Sequence, residues 1–167
     1  MIFCVDELKE FIIGETLEHL QLGLSERGLK SAKALLLGTA AQESGFDCLM
    51  RSGRRFGLYQ ISPALHKSVW DNYLIHHPDL ASRVRGLAGQ RSFLANPHGE
   101  LLSNLKYATA IAMMVYLRTG LPLPDHTNLR ALAGFWHRHF HPKSHNSEEN
   151  FIKSYRALYP AKQLAAA

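Results

Sequence analysis

The hydrophobic positions fall into a succession of short helical patterns. Between Asp6 and Gln21, Leu8, Phe11, Ile12, Leu17 and Leu20 recur at helical spacing, with Asp6, Glu7 and Glu10 near the start, where acidic groups suit a helix. This predicts a first amphipathic helix, which Gly23 can end. Glu15 and Glu18 sit among polar neighbours on its solvated face. Ser25-Glu26-Arg27-Gly28 restarts the chain, and Leu29 to Gln42 predicts a second helix. Its part from Ala34 to Gln42 is uncharged and mostly apolar or small, the composition of a helix enclosed by protein. Gly45 is a stop for it. Arg51 to Phe56 reads as a basic loop or β-turn, and Gly57-Leu58-Tyr59-Gln60-Ile61 as a β-leaning segment.

Pro63 fits the first turn of a helix through Leu65, Val69, Trp70 and Tyr73, with Trp70 in the core and His66, His76 and His77 at the surface. His77-Pro78-Asp79 breaks it, and Asp79 to Gly86 predicts a short helix. Gln90 to Gly99 reads as a loop. Glu100 to Arg118 is the longest periodic element, with Leu101, Leu105, Ala108, Ala112 and Val115 on one face and Met113 and Met114 as core filler. Gly120 to Pro124 is a connector too short to link domains. Asp125 or Thr127 caps a helix from Asn128 to about His139. Asn146 with Glu149 resembles a capping box for a last helix that turns Phe151, Ile152, Tyr155 and Leu158 inward. Ala165 to Ala167 is a frayed tail. No internal repeat or low-complexity tract is present.

Composition narrows this picture. The 167 residues favour one domain, 1–167, and 46% hydrophobic content places the chain among globular proteins. Cys4 and Cys48 do not make a disulfide framework and read as free thiols. Met1 to Val5 is apolar but lacks a basic start, and Asp6 interrupts it, so no signal peptide is expected. No apolar run is long enough for a bilayer. The net charge of +5 and a pI near 9.4 suit an anionic partner such as a cell wall bearing carboxylates. They would suit nucleic acid too, but no basic cluster or binding motif supports it, and a solvated basic face remains the plain alternative.

The candidate chemistry centres on Glu43. It lies at the end of the enclosed helix, where the chain opens, and a carboxyl there is partly desolvated. Loss of hydration disfavours the charged form, which suits a general acid near neutral pH. Tyr59 could offer a sugar its flat face and Gln60 a neutral donor and acceptor. Asp47 and Asp71 are the rival second carboxylates, but Gly45 breaks the helix between Glu43 and Asp47. Arg51-Ser52-Gly53-Arg54-Arg55 reads equally as a cleft lip for peptide-stem carboxylates or as a solvated loop. His137, His139, His141 and His145 could share a zinc ion in an extended stretch but not on a helix, and no His-Glu-x-x-His signature completes them. They are read as a polar rim, and no metal or cofactor is expected.

Glu43-Ser44 followed by Gly57-Leu58-Tyr59-Gln60-Ile61 resembles the first two motifs of the lytic transglycosylase and goose-type lysozyme family. Gly38-Thr39-Ala40-Ala41-Gln42-Glu43-Ser44, with Trp70-Asp71-Asn72-Tyr73-Leu74 downstream, is most similar to forms carried in bacteriophage particles. Asn104-Leu105 with Ala108, Ala112 and Tyr116-Leu117 resembles the third motif, a helix packed behind the acid. The resemblance implies a mainly α, lysozyme-like domain with a small β element beside the cleft, near Arg55 to Ile61. It implies Glu43 as catalytic acid, and Ser44, Gly57, Leu58, Tyr59 and Gln60 as substrate-binding. Where the family carries a Tyr-Asn pair and its tyrosine approaches the acid, this chain has Phe140-His141; Phe140 is placed in the substrate-binding set by that correspondence. The implied activity is cleavage of the MurNAc–GlcNAc bond of peptidoglycan by a single glutamate. The implied partners are bacterial glycan strands and phage tail or baseplate proteins, with no nucleic acid and no membrane. The implied location is a phage virion, or the periplasm and cell wall after delivery. The alternative is a catalytically weak or inactive lysozyme-like module with a structural or wall-binding role in a phage tail.

Overall fold

The computed structural model describes residues 5–141 and 147–159. Cys4, His145, the expected Asn146 cap and the Ala165–Ala167 tail lie outside them. The fold is mainly helical with one two-stranded antiparallel sheet.

The N-terminal helix is continuous but changes pitch. Helix α1 (Val5–Glu7) runs into a π-helical stretch, Leu8–Gly14, and on into α2 (Glu15–Leu20). The wider turn rotates the inward face, so Leu8, Ile13, Leu17 and Leu20 are buried, and Phe11, expected inward, is 62% exposed. Ser25 caps α3 (Glu26–Ser44), its Oγ accepting from the Gly28 N–H, and α3 ends at Gly45 as expected. Every residue from Ala34 to Ala41 is buried. Strands β1 (Arg51–Ser52) and β2 (Arg55–Phe56) form a hairpin, with Arg51 opposite Phe56 and Ser52 opposite Arg55. The expected stretch, Arg55 to Ile61, holds β2 and an Ile61–Phe56 bridge, with β1 ahead of it; Gly57 to Gln60, expected to lean towards β, is a turn.

Ser62 caps α4 (Pro63–Asn72), with Pro63 in its first turn. Helix α5 (Pro78–Leu87) follows a 3-10 turn, Leu74–His76. The segment expected as a loop contains α6 (Gln90–Ala95) and a 3-10 turn, Pro97–Gly99. The long periodic element is two helices, α7 (Glu100–Ser103) and α8 (Leu105–Leu117). Asn104 breaks it: its backbone is extended, its Oδ1 caps α8 at Tyr107 N, and its Nδ2 donates to the Leu87 carbonyl and the Glu100 carboxylate. Tyr107 to Tyr116 are all buried, so α8 is enclosed on every side and not on one face alone. Asn128, and not Asp125 or Thr127, caps α9 (Leu129–His139). Asp125 instead receives the Thr127 N–H and hydroxyl in a local turn and pairs with Arg27. Ser147 caps α10 (Glu148–Ala157), which packs Phe151 onto α3 so closely that a Cβ on Gly38 would overlap the Phe151 ring.

His66 is buried, contrary to its expected surface place. Its Nε2 lies 2.6 Å from the Tyr107 hydroxyl, and its Nδ1 lies 2.9 Å from His98 Nδ1. Trp70 Nε1 also reaches the Tyr107 oxygen, at 3.0 Å. An indole N–H only donates, so the tyrosine proton goes to His66 Nε2, and His66 Nδ1–H donates to His98. This chain of four polar groups joins α4, α8 and the 3-10 turn at Pro97–Gly99. Burial is what holds the His66 imidazole down to about 4, with the His98 charge adding to it. Among the described residues, no helix is long and apolar enough to cross a membrane.

Candidate active site

Glu43 lies in the last turn of α3, because the apolar run before it keeps the helix in the core until Gly45 ends it. Its side chain is 4% exposed. Two donors from elsewhere in the chain meet it. Trp136 Nε1 donates to Oε1 at 2.9 Å, and His141 Nδ1 lies 2.8 Å from the same oxygen. Trp136 is on the buried face of α9, where its ring packs on Phe151 with centroids 5.4 Å apart. That packing fixes the indole, and its N–H needs a partner once buried. His141 comes into reach because α9 ends at Phe140, whose ring packs on Tyr116, centroids 5.4 Å apart.

This geometry has a chemical consequence. Both hydrogen bonds that the described residues make to Glu43 fall on Oε1. With the indole donating there, and with His141 in its Nδ1–H form donating there too, the proton of the acid form sits on Oε2. Among the described residues the carboxyl is held by one edge, and no donor of theirs occupies Oε2, the oxygen that would carry the proton to be transferred. Behind it, the Tyr116 hydroxyl bonds Thr39 Oγ1 at 2.6 Å; burial pushes this phenol well above its ordinary range, and the Glu43 carboxylate adds to the effect.

Ser44 couples the helix end to the turn beyond the hairpin. Its Oγ donates to the Leu58 carbonyl at 2.7 Å and reaches the Ala40 carbonyl at 3.2 Å. Gly57 N donates to the Met50 carbonyl at 2.8 Å, and Gln60 Nε2 donates to the Met50 and Gly57 carbonyls at 2.9 and 2.8 Å. Gly57 is required: its φ is +72°, and a Cβ would run into the Leu101 carbonyl oxygen. Phe46 and Gln60 also hold left-handed backbone, at φ +67° and +47°, on either side of the site. Such residues carry strain of order 1–3 kcal/mol each and gather at functional sites.

Several expected substrate contacts fall elsewhere. Gly57, Leu58, Tyr59 and Gln60 are all buried, so neither a flat tyrosine face nor a free amide is presented to a sugar. The Tyr59 hydroxyl bonds Thr109 Oγ1 at 3.1 Å, and burial raises its phenol. The Gln60 amide nitrogen is spent on the turn, while its Oε1 is buried without a partner among the described residues. These residues are the support of the site. Apolar and aromatic groups between Gly57 and Ile61 gain more from burial than from exposure. Phe140 is likewise packed in the core, 2% exposed, and His141 is the member of that pair that reaches the acid. Asp47 is exposed and caps a local turn at Leu49 N, and Asp71 is exposed on α4; neither bonds Glu43.

Trp136 was not singled out from the sequence, although a tryptophan on the apolar side of a helix always brings one N–H that must be satisfied. His137 and His139 stay on α9 while His141 turns to Glu43, so the three do not converge; among the described residues no three of His, Cys, Asp and Glu stand close enough to hold a metal. Four surface cavities of about 330 to 500 Å³ lie elsewhere, around the start of α3, beside α7 and α8, and between the N-terminal helix and α10; Glu43 lines none of them. Comparison with family models, curated proteins and solved structures finds no match to the chain.

Proposed function

We propose that the chain cuts the MurNAc–GlcNAc bond of bacterial peptidoglycan as a lytic transglycosylase, with Glu43 as its acid and then its base. The observation that carries this reading is the desolvated Glu43 carboxyl with Trp136 and His141 both on Oε1. The Oε2 proton passes to the glycosidic oxygen, and the bond from that oxygen to the muramic C1 breaks. The resulting carboxylate then takes the proton of the muramic C6 hydroxyl, whose oxygen closes on C1 as an anhydro ring. No water enters and no second carboxylate is needed, in keeping with the placement of Asp47 and Asp71. The N-acetyl group of the sugar can share the positive charge.

The delivery that goes with this reading is a phage particle, with tail or baseplate proteins as neighbours. The burial of the Gly57–Gln60 turn, which leaves no Tyr59 face or Gln60 amide for a sugar, favours a second reading, a wall-binding module with little or no catalysis. Mass spectrometry of material released from purified sacculi tests the first: anhydro-muramic ends are expected. Reducing ends throughout would make the chain a hydrolase, with Asp47 and Asp71 next to be substituted. Binding to sacculi without release would establish the second reading.

A further inference from the structure

The hairpin beside Glu43 carries charge that the fold does not use. Arg51, Arg54 and Arg55 are exposed, and none of them forms an ion pair with a carboxylate of the described residues. Elsewhere Arg27 pairs with Asp125, Lys33 with Glu10 and Lys106 with Glu15, while Lys67, Arg130 and Lys153 are also exposed and unpaired among the described residues, but scattered over different helices. Strand register puts Arg51 and Phe56 on one face and Arg55 with Ser52 on the other, while Arg54 is in the turn. Cations therefore surround the hairpin. Five residues of a folded-back hairpin keep all three charges within about one to two Debye lengths at physiological salt, so an approaching anion meets their combined field.

The hairpin is also anchored. Met50, at its base, accepts from Gly57 N and Gln60 Nε2, and Ser44, the residue after Glu43, holds the Leu58 carbonyl. The Arg51 guanidinium lies 5.0 Å over the Phe56 ring, which orders it. Like charges this close in sequence repel, and no carboxylate of the described residues pairs with them. Guanidinium groups match carboxylates in bidentate fashion.

We infer that the Arg51–Phe56 hairpin docks the carboxylates of the peptide stems that hang from the wall glycan, next to the bond presented to Glu43. This rests on the peptidoglycan reading of the site but concerns binding, so it is tested without catalysis. The probe is Glu43→Gln protein sedimented with purified sacculi, either intact or stripped of their stems by an amidase.

In the Glu43→Gln background, replacing Arg51, Arg54 and Arg55 together by Gln should weaken binding to intact sacculi at least about fivefold, with melting unchanged. Neutralising the exposed Lys67, Arg130 and Lys153 removes the same charge elsewhere and should change binding less than twofold. Stripping the stems should bring the parent protein down to the level of the hairpin variant. Equal losses in the two triple variants would reduce the effect to net charge, and binding indifferent to stem removal would overturn the proposal. Stronger binding to a phosphate-rich polymer than to intact sacculi would overturn it as well. Should the triple variant melt early, Arg54→Gln alone, in the turn, should still lose binding to intact and not to stripped walls. Stem-dependent binding by a protein that cuts no wall would refute the catalytic reading and leave this one standing.

Discussion

At the scale of single residues, the account turns on what holds the Glu43 carboxyl. Trp136→Phe keeps the ring packing on Phe151 and removes one donor. A hydrogen bond of this kind contributes about 0.5–1.5 kcal/mol, which is a several-fold loss of rate at about 1.4 kcal/mol per tenfold. His141→Asn keeps a donor and should retain most activity, whereas His141→Phe removes it and should fall further. Initial rates of dye release from labelled sacculi, beside thermal melts, check both. Equal rates for His141→Asn and His141→Phe would remove the histidine from the mechanism. Tyr59 and Phe140 belong to the core, so Tyr59→Phe and Phe140→Tyr should change melting temperature and leave the rate of the folded protein alone.

At the scale of elements, α3 and α10 meet closely at Gly38 and Phe151. Gly38→Ala would push a methyl group into the Phe151 ring. Overpacking of this sort typically destabilises by about 1–3 kcal/mol, read as a lower midpoint in urea. Gly38→Ala with Phe151→Leu should recover part of the loss, and no recovery would mean the helices meet elsewhere. How legible these elements were follows from how local their causes are. The α3 helix was readable because an uncharged run and a glycine stop lie within one stretch. The turn at Gly57 to Gln60 is not legible locally, because Leu58-Tyr59 has strand-like composition and the turn packs Gly57 against the distant Leu101 carbonyl. The π-helical register of Leu8–Gly14 moved Phe11 outward, and no spacing rule of period 3.6 reports that. Asn104 belongs to a legible motif, but its break in the long helix depends on Leu87, 17 residues away. The contacts of Trp136 and His141 with Glu43 span 93 and 98 residues, and only the fold brings them together.

At the scale of the whole molecule, the buried His66 chain ties stability to pH. The folded imidazole stays neutral down to about 4, while a free imidazole takes up its proton near 6.5. Between those values the unfolded chain binds more protons than the folded one. The contribution is therefore complete above pH 6.5 and is lost as pH falls towards 4, with a slope of at most about 1.4 kcal/mol per pH unit for one proton. Urea midpoints across this window should fall more steeply for the parent than for His66→Gln, which keeps a hydrogen-bonding amide and does not titrate. Parallel slopes would mean that His66 is not held neutral. One cluster of buried side chains runs from Leu8 to Phe151, so loosening at His66 should be felt across the described fold.

The central claim is that Glu43 supplies the proton that cuts the wall. Its most direct test is the rate at which purified sacculi lose turbidity with the parent protein and with Glu43→Gln, an amide of nearly the same shape that has no acid proton to give. The parent should clear the suspension, and the variant should be slower by about a hundredfold or more with unchanged melting. A variant that keeps more than about a tenth of the rate, or a folded parent that clears nothing, would contradict the account.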